Sequence, residues 1–92
     1  MASISIRLPA ALRTAASGRS AVTVEARTVA EALTSLATTH PQLGRMIFAT
    51  EGRVRPHVRL FLDGRQVTGA VDANEALGEG DELRIVPAIV GG

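Results

Sequence analysis

Apolar and polar residues alternate along several short segments of this chain, which is the pattern of strands with one buried face. The first two segments are separated by a turn region at residues 15–18, and a later pair by Asp63-Gly64, which is typical of tight hairpins. A short fourth strand is predicted around Gln66-Val67, and Pro87 ends the last strand because proline cannot donate to a ladder. The alternating apolar positions are Ile4, Ile6 and Leu8, then Val22 and Val24, then Val58, Leu60 and Leu62, and finally Leu83 and Ile85.

Between the second and third strands the apolar period changes to that of a helix. Thr28 and Glu31 have the spacing of a capping box, in which both side chains accept hydrogen bonds from free amides at a helix start. His40-Pro41 predicts the end of this helix. Residues 42–56 are predicted to be irregular apart from a short helical turn at 46–48, and residues 72–77 to form a capped turn. The stripe that faces the sheet consists of Val29, Leu33, Leu36 and Ala37.

The length of 92 residues allows one domain with one modest core, and we expect residues 1–87 to form it and residues 88–92 to form a flexible tail. No apolar run approaches the ~20 residues of a membrane span, and no basic and apolar leader is present. We therefore expect a cytoplasmic protein without membrane contact. The absence of cysteine excludes disulfides and thiolate metal sites, and the only histidines, His40 and His57, stand apart, so no metal site is expected.

All ten basic residues are arginine, and the net charge is +1. A chain without lysine offers no side-chain amine for an isopeptide bond, so self-linked chains are not expected. Nucleic-acid binding is not expected, because the net charge is small and aromatic residues are nearly absent. No nucleophile and base stand together as in an enzyme. Acidic residues near the C-terminal end form either a solvated flank or a surface that orients a basic partner: Asp72, Glu75, Glu79, Asp81 and Glu82.

The chain ends in Gly91-Gly92, and two terminal glycines arise by chance in only roughly 0.5% of sequences of ordinary glycine content. Glycine lacks a Cβ and adopts conformations closed to other residues, so such an end can enter a narrow channel and present its carboxylate to an active site. The alternative is a frayed terminus without a role.

The order β-β-α-β-β-β, together with residues 80–92, resembles the ubiquitin-like sulfur carriers. Residues 80–92 are similar to the family pattern G-D-x-[hydrophobic]-x-[hydrophobic]-x-P-x-[hydrophobic]-x-G-G. The resemblance implies an α+β fold of the β-grasp type, with a mixed sheet of four to five strands and one main helix across it. Residues 8–13, Leu-Pro-Ala-Ala-Leu-Arg, look more like the carriers of cysteine biosynthesis than the thiamine-pathway carrier. The small subunit of molybdopterin synthase remains an alternative.

The resemblance implies chemistry at Gly92 that partner enzymes perform. An E1-like adenylating and sulfurtransferase enzyme would use ATP to activate the carboxylate, and sulfur would then replace the adenylate to give a thiocarboxylate. The acceptor would be a pyridoxal phosphate-dependent cysteine synthase or the large subunit of molybdopterin synthase. The chain itself would be neither an enzyme nor the holder of a bound cofactor. The residues expected to bind inside the partners' active sites are Pro87, Ala88, Ile89, Val90 and Gly91.

The alternation in the third and last strands predicts a second surface. If the apolar positions of the third strand face the helix, Phe61 and Arg59 point to the other face, beside Arg84 and Val86 of an adjacent last strand. We expect these four residues to dock a partner; the alternative is a solvated sheet face. Two other functions stay open, a protein modifier joined to lysines through Gly92 and a docking domain with an inert tail.

Overall fold

The computed structural model describes residues 2–48, 55, 58–67 and 76–87. Within these residues the chain forms a five-stranded sheet in the order β2-β1-β5-β3-β4. The strands are β1 (Ala2–Arg7), β2 (Ala21–Ala26), β3 (Val58–Leu62), β4 (Arg65–Val67) and β5 (Glu82–Pro87). The helices are α1 (Ala10–Arg13), α2 (Val29–Thr39) and α3 (Pro41–Ile47), with a 3₁₀ turn at Thr14–Ala16 after α1.

The sheet is mixed, and β5 lies at its centre. β1 pairs antiparallel with β2 and parallel with β5, while β3 pairs antiparallel with both β5 and β4. A first hairpin, a helix and a last strand inserted beside the first one are the features of a β-grasp domain, so the predicted α+β class is confirmed. The predicted strands are all present, including the short fourth one after Asp63-Gly64.

One face of the sheet forms the core with α2. The alternating positions predicted to point inward are buried except Val58, which is partly buried: Ile4, Ile6 and Leu83 have no exposed surface, and Leu60 and Ile85 are 1% exposed. α2 contributes Val29, Ala32, Leu33 and Leu36 to this core. Ala37, which the helical stripe included, is only partly buried because it lies toward α3 rather than toward the sheet.

The start of α2 confirms the predicted capping box. The Thr28 hydroxyl accepts a hydrogen bond from the Glu31 amide at 3.2 Å, and the Glu31 carboxylate accepts one from the Arg27 amide at 2.9 Å. Amides at a helix start have no partner within the helix, so these side chains satisfy two groups that would otherwise depend on water.

The segment after α2 differs from the prediction. Pro41 does end α2, but it also begins α3, because proline fits the first turn of a helix, where its missing amide is not needed. The irregular segment predicted from residue 42 is therefore wrong over residues 42–45, and the short helical turn predicted at 46–48 is the last part of a longer helix that ends at Ile47. The far end of α3 is capped by Arg55, whose guanidinium donates to the Arg45 carbonyl at 3.0 and 3.2 Å and whose amide donates to the Ile47 carbonyl at 2.8 Å.

Two other predictions concern connecting segments. The link between β1 and β2 contains α1 and the 3₁₀ turn, where only a turn region was predicted, and Ser17 ends it with a positive φ of 58°. Most of the capped turn predicted at 72–77 lies outside the described residues, as does the tail at 88–92. The division into a domain at 1–87 and a tail therefore stays a prediction.

Candidate functional site

The strand that leads to the Gly-Gly end is the central strand of the sheet. β5 has β1 on one side and β3 on the other, and its side chains at 83 and 85 are buried in the core. Pro87 is the last residue of β5 and lies opposite Val58. The predicted site residues Ala88, Ile89, Val90, Gly91 and Gly92 lie outside the described residues. The base of the tail is thus held by β1 over Glu82–Arg84 and by β3 as far as Pro87.

The outer face of the sheet brings together the four residues predicted to dock a partner. Phe61 lies opposite Arg84, and Arg59 lies opposite Val86, in the antiparallel pair of β3 and β5. Phe61 and Val86 are partly exposed, and both arginines are exposed. The predicted arrangement is confirmed, whereas the docking role stays a prediction. A shallow pocket on this face is lined by Phe61, Asp63, Gly64, Glu82, Arg84 and Val86.

The hairpin beside this pocket fixes β3 against β5. Asp63 and Gly64 both have positive φ values, 50° and 90°, as a two-residue turn of the mirror-image type requires. The Asp63 carboxylate accepts a hydrogen bond from the Glu82 amide, and the Asp63 amide donates to the Glu82 carbonyl, both at 2.9 Å. These bonds hold the start of β5 in register with the end of β3.

The acidic residues near the start of β5 serve the fold itself. Glu79 accepts a hydrogen bond from the Ser3 amide at 2.9 Å, and Asp81 accepts one from the Gly78 amide at 2.7 Å. With Asp63 on the Glu82 amide, three carboxylates at this end of the sheet satisfy backbone donors. Two of the three described residues of the predicted acidic flank, Glu79 and Asp81, therefore bind backbone amides, which favours a structural role for them over the orientation of a basic partner.

Arg7 belongs to the same outer face, and the sequence analysis did not single it out. It lies beside Arg84, because β1 and β5 are parallel neighbours with Ile6 beside Leu83. The alternation in β1 does point Arg7 away from the core, but only the sheet order shows which strand it adjoins. The Nη2 atom of Arg84 lies 3.7 Å from the Glu82 Oε1 atom.

Two further expectations concern metals and membranes. Among residues 2–48, 55, 58–67 and 76–87, no group of three or more His, Cys, Asp or Glu side chains could hold a metal ion. His40 is partly buried between α2 and α3, and His57 lies outside the described residues. Over the same part of the chain, no helix is long and apolar enough to cross a membrane.

A β-grasp domain whose central strand runs toward a Gly-Gly end defines the class of ubiquitin-like small modifiers and sulfur carriers. The chain belongs to the ThiS family, which it matches over residues 6–92. Small archaeal modifier protein 1 of Haloferax volcanii is 34% identical over 65 residues, which are 71% of this chain and 70% of that protein.

Solved structures extend the likeness to nearly the whole chain. The crystal structure of the Haloferax volcanii SAMP1 superposes with a TM-score of 0.84 at 31% identity, over 98% of this chain and 99% of the other. A structure of the BexX/CysO complex of Amycolatopsis orientalis matches with a TM-score of 0.82 over 97% and 99% of the two chains. At 22% identity, the second match shows a common fold alone.

Proposed function

We propose that this chain is a sulfur carrier whose reactive group is the carboxylate of Gly92. The observation that supports the proposal best is the central position of β5, which ends directly before residues 88–92 and pairs with β1 over its first half and with β3 as far as Pro87. A tail of five residues reaches at most about 18 Å when fully extended. Such a tail can enter a partner's active site while the domain remains outside it.

The reaction takes place in two steps in the partner's site. The Gly92 carboxylate attacks the α-phosphorus of ATP and releases pyrophosphate, which gives an acyl-adenylate. Sulfide then attacks the acyl carbon, AMP leaves, and a thiocarboxylate remains. A thiocarboxylate is ionised and soft at neutral pH, so its sulfur attacks an electrophilic acceptor. The chain contributes reach and recognition, and the partner contributes the catalytic groups.

The acceptor in this proposal is an aminoacrylate bound to a pyridoxal phosphate-dependent cysteine synthase. It is supported by the resemblance of residues 8–13 to the cysteine-pathway carriers. A role as the small subunit of molybdopterin synthase is the alternative acceptor pathway. The two are distinguished by offering the thiocarboxylate form to each acceptor enzyme and measuring which one consumes it.

Docking of the partner takes place on the outer face of β3 and β5. Phe61 and Val86 supply partly exposed apolar surface, and Arg59 and Arg84 supply charge beside it. Aromatic and arginine side chains are enriched at protein interfaces, where a few of them contribute most of the binding free energy. This face adjoins the base of the tail, so one partner can bind both at once.

Intact-protein mass spectrometry tests the proposal. The full chain and a variant lacking Gly91-Gly92 are incubated with ATP, the E1-like enzyme of the same genome and sulfide. We expect a mass gain equal to the exchange of one oxygen for sulfur in the full chain alone. The unfolding midpoint of the two proteins should agree, since the described core ends before the tail. An unchanged mass of the full chain would refute the carrier function.

Conjugation to target lysines is the second candidate function. It is favoured by two relatives of more than 30% identity, small archaeal modifier proteins 1 and 3 of Haloferax volcanii, at 34% and 36%. Both functions begin with adenylation of the terminal glycine and differ in the nucleophile that follows, sulfide or a lysine amine. The products therefore separate them, as a free thiocarboxylate or as a conjugate of higher mass.

A further inference from the structure

Two arginines lie side by side on the outer face of the sheet. Arg7 in β1 and Arg84 in β5 are neighbours in a parallel pair, and both side chains are exposed. Neighbouring strands lie about 4.8 Å apart, so the two guanidinium groups start from adjacent backbone positions. Like charges at such positions destabilise a sheet. The two neighbouring positive charges therefore do not stabilise the folded chain.

The described carboxylates do little to offset this repulsion. Glu82 approaches Arg84 to 3.7 Å, but the two side chains are 41% and 57% exposed, and such pairs contribute little in water. Asp63, Glu79 and Asp81 are occupied by the backbone amides described above. Within the part of the chain that the structure describes, Arg7 has no carboxylate partner.

The surroundings of the pair indicate the kind of partner. Arg84 lies opposite Phe61 in β3, so the two charges adjoin partly exposed aromatic surface. Arg84 is also three positions before Pro87, close to the base of the tail. A small patch that combines arginine with an aromatic ring suits a protein surface, whereas nucleic acid would require a broader basic area than a chain of net charge +1 offers.

We infer that Arg7 and Arg84 together bind a cluster of carboxylates on the adenylating partner, at the entrance of the channel that receives the tail. The inference rests on the proposed function and adds Arg7 to the docking face. Binding of the carboxylates replaces the repulsion between the arginines by attraction, so the charge pair contributes to association rather than to folding. Exposed charges of this kind act mainly on the rate of association and on its dependence on salt.

Neutral variants separate association from folding. Arg7→Gln and Arg84→Gln remove one charge each and keep a long polar side chain. Arg27→Gln is the matched control, because Arg27 is exposed and follows Ala26 at the opposite end of the strand pair β1/β2. Each variant is offered as a substrate to the purified E1-like adenylating enzyme of the same genome. The rate of adenylation is measured by ATP–pyrophosphate exchange at low and at high NaCl.

We expect Arg7→Gln and Arg84→Gln each to raise the KM for the carrier roughly tenfold at low salt, with kcat unchanged. The difference should shrink at high salt because mobile ions screen exposed charges. Arg27→Gln should behave as the unaltered chain. The unfolding midpoint of Arg7→Gln should be equal to that of the unaltered chain or higher, since a repulsion is removed.

Several results would overturn the inference. Unchanged KM values for both arginine variants would do so, and so would a lowered unfolding midpoint that accounts for the loss of activity. If RNA displaced the enzyme from the carrier, and if the arginine variants no longer bound RNA, the arginine pair would be a nucleic-acid site instead. If the unaltered chain is not adenylated, the proposed function fails as well. If it is adenylated while the arginine variants match it, this inference fails alone.

Discussion

Single side chains carry much of the local structure, and several of them could be identified in the sequence. The capping box at Thr28 and Glu31 and the turn at Asp63-Gly64 depend on chemistry within a few residues, so a sequence pattern is enough to predict them. The role of Arg55 at the end of α3 could not be predicted, because its acceptor is the carbonyl of Arg45, ten positions earlier. The surroundings of Arg7 could not be predicted for the same reason, since its neighbour Arg84 lies in the last strand, far away in the sequence.

Replacing Thr28 by alanine tests the predicted helix start. The variant leaves the Glu31 amide without its acceptor, and we expect a loss of about 1 kcal/mol in the free energy of unfolding. Urea denaturation of Thr28→Ala and of the control Thr28→Ser measures it. The serine variant should retain most of the stability, because its hydroxyl can accept the same bond. Equal stability of the alanine variant and the unaltered chain would show that water replaces the cap.

Phe61 and its neighbour Leu60 are two large apolar residues of the same strand, and we expect their replacement by alanine to affect different properties, partner binding for Phe61 and stability for Leu60. Phe61 is partly exposed on the outer face, whereas Leu60 is 1% exposed in the core. We expect Phe61→Ala to weaken binding of the adenylating enzyme roughly tenfold or more, with little change in unfolding. Leu60→Ala should cost about 2–5 kcal/mol of stability.

Calorimetric titration of the enzyme and thermal unfolding of both variants check this pair of expectations. The docking role of Phe61 would be wrong if Phe61→Ala lost stability while its affinity for the enzyme stayed the same.

At the level of elements, the strands were easier to predict from the sequence than the helix α3. Every strand except the three-residue β4 has apolar residues at alternate positions, and the core side chains follow this period. α3 has only seven residues, with Gly44 at its middle and no side-chain cap at its start. A helix this short is marginal by itself and forms through contacts with the rest of the fold. Those contacts are not visible in the sequence.

The contact between α2 and α3 depends on the absence of a side chain at Gly44. A Cβ atom at this position would lie 2.8 Å from the Ala37 Cβ atom and 3.3 Å from the Ala37 Cα atom. We expect Gly44→Ala to lower the free energy of unfolding by about 1–3 kcal/mol, because the overlap outweighs the ~1 kcal/mol that alanine contributes to a helix. Chemical denaturation measures the change.

A second substitution shows whether the overlap is the cause. Ala37→Gly removes the methyl group that Gly44→Ala would meet, so the double variant should be more stable than the sum of the two single changes predicts. Additive losses would indicate that the two helices move apart and that the close approach is dispensable.

For the molecule as a whole, the sheet order connects the core to the tail. β5 enters between β1 and β3, so the strand that precedes the Gly-Gly end is the central one of the five. The β-grasp class could be predicted from the order of elements, and the period of two places Phe61 and Arg84 on the same face if β3 and β5 are adjacent; the structure shows that the two residues lie opposite each other. The neighbourhood of Arg7 required the parallel pairing, which joins residues far apart in the chain.

The absence of lysine in the whole sequence gives a direct way to separate carrier from modifier. A protease that cleaves after lysine leaves this chain intact, so any conjugate would appear after digestion as a target peptide that still carries the complete chain. We expect only free chain, in carboxylate and thiocarboxylate forms, after incubation with ATP, the adenylating enzyme, sulfide and a lysine-rich protein mixture. The variant without Gly91-Gly92 is the control and should yield neither a thiocarboxylate nor a conjugate. Target peptides that carry the complete chain, absent from the control, would establish modification instead, because only an activated Gly92 can acylate a lysine amine.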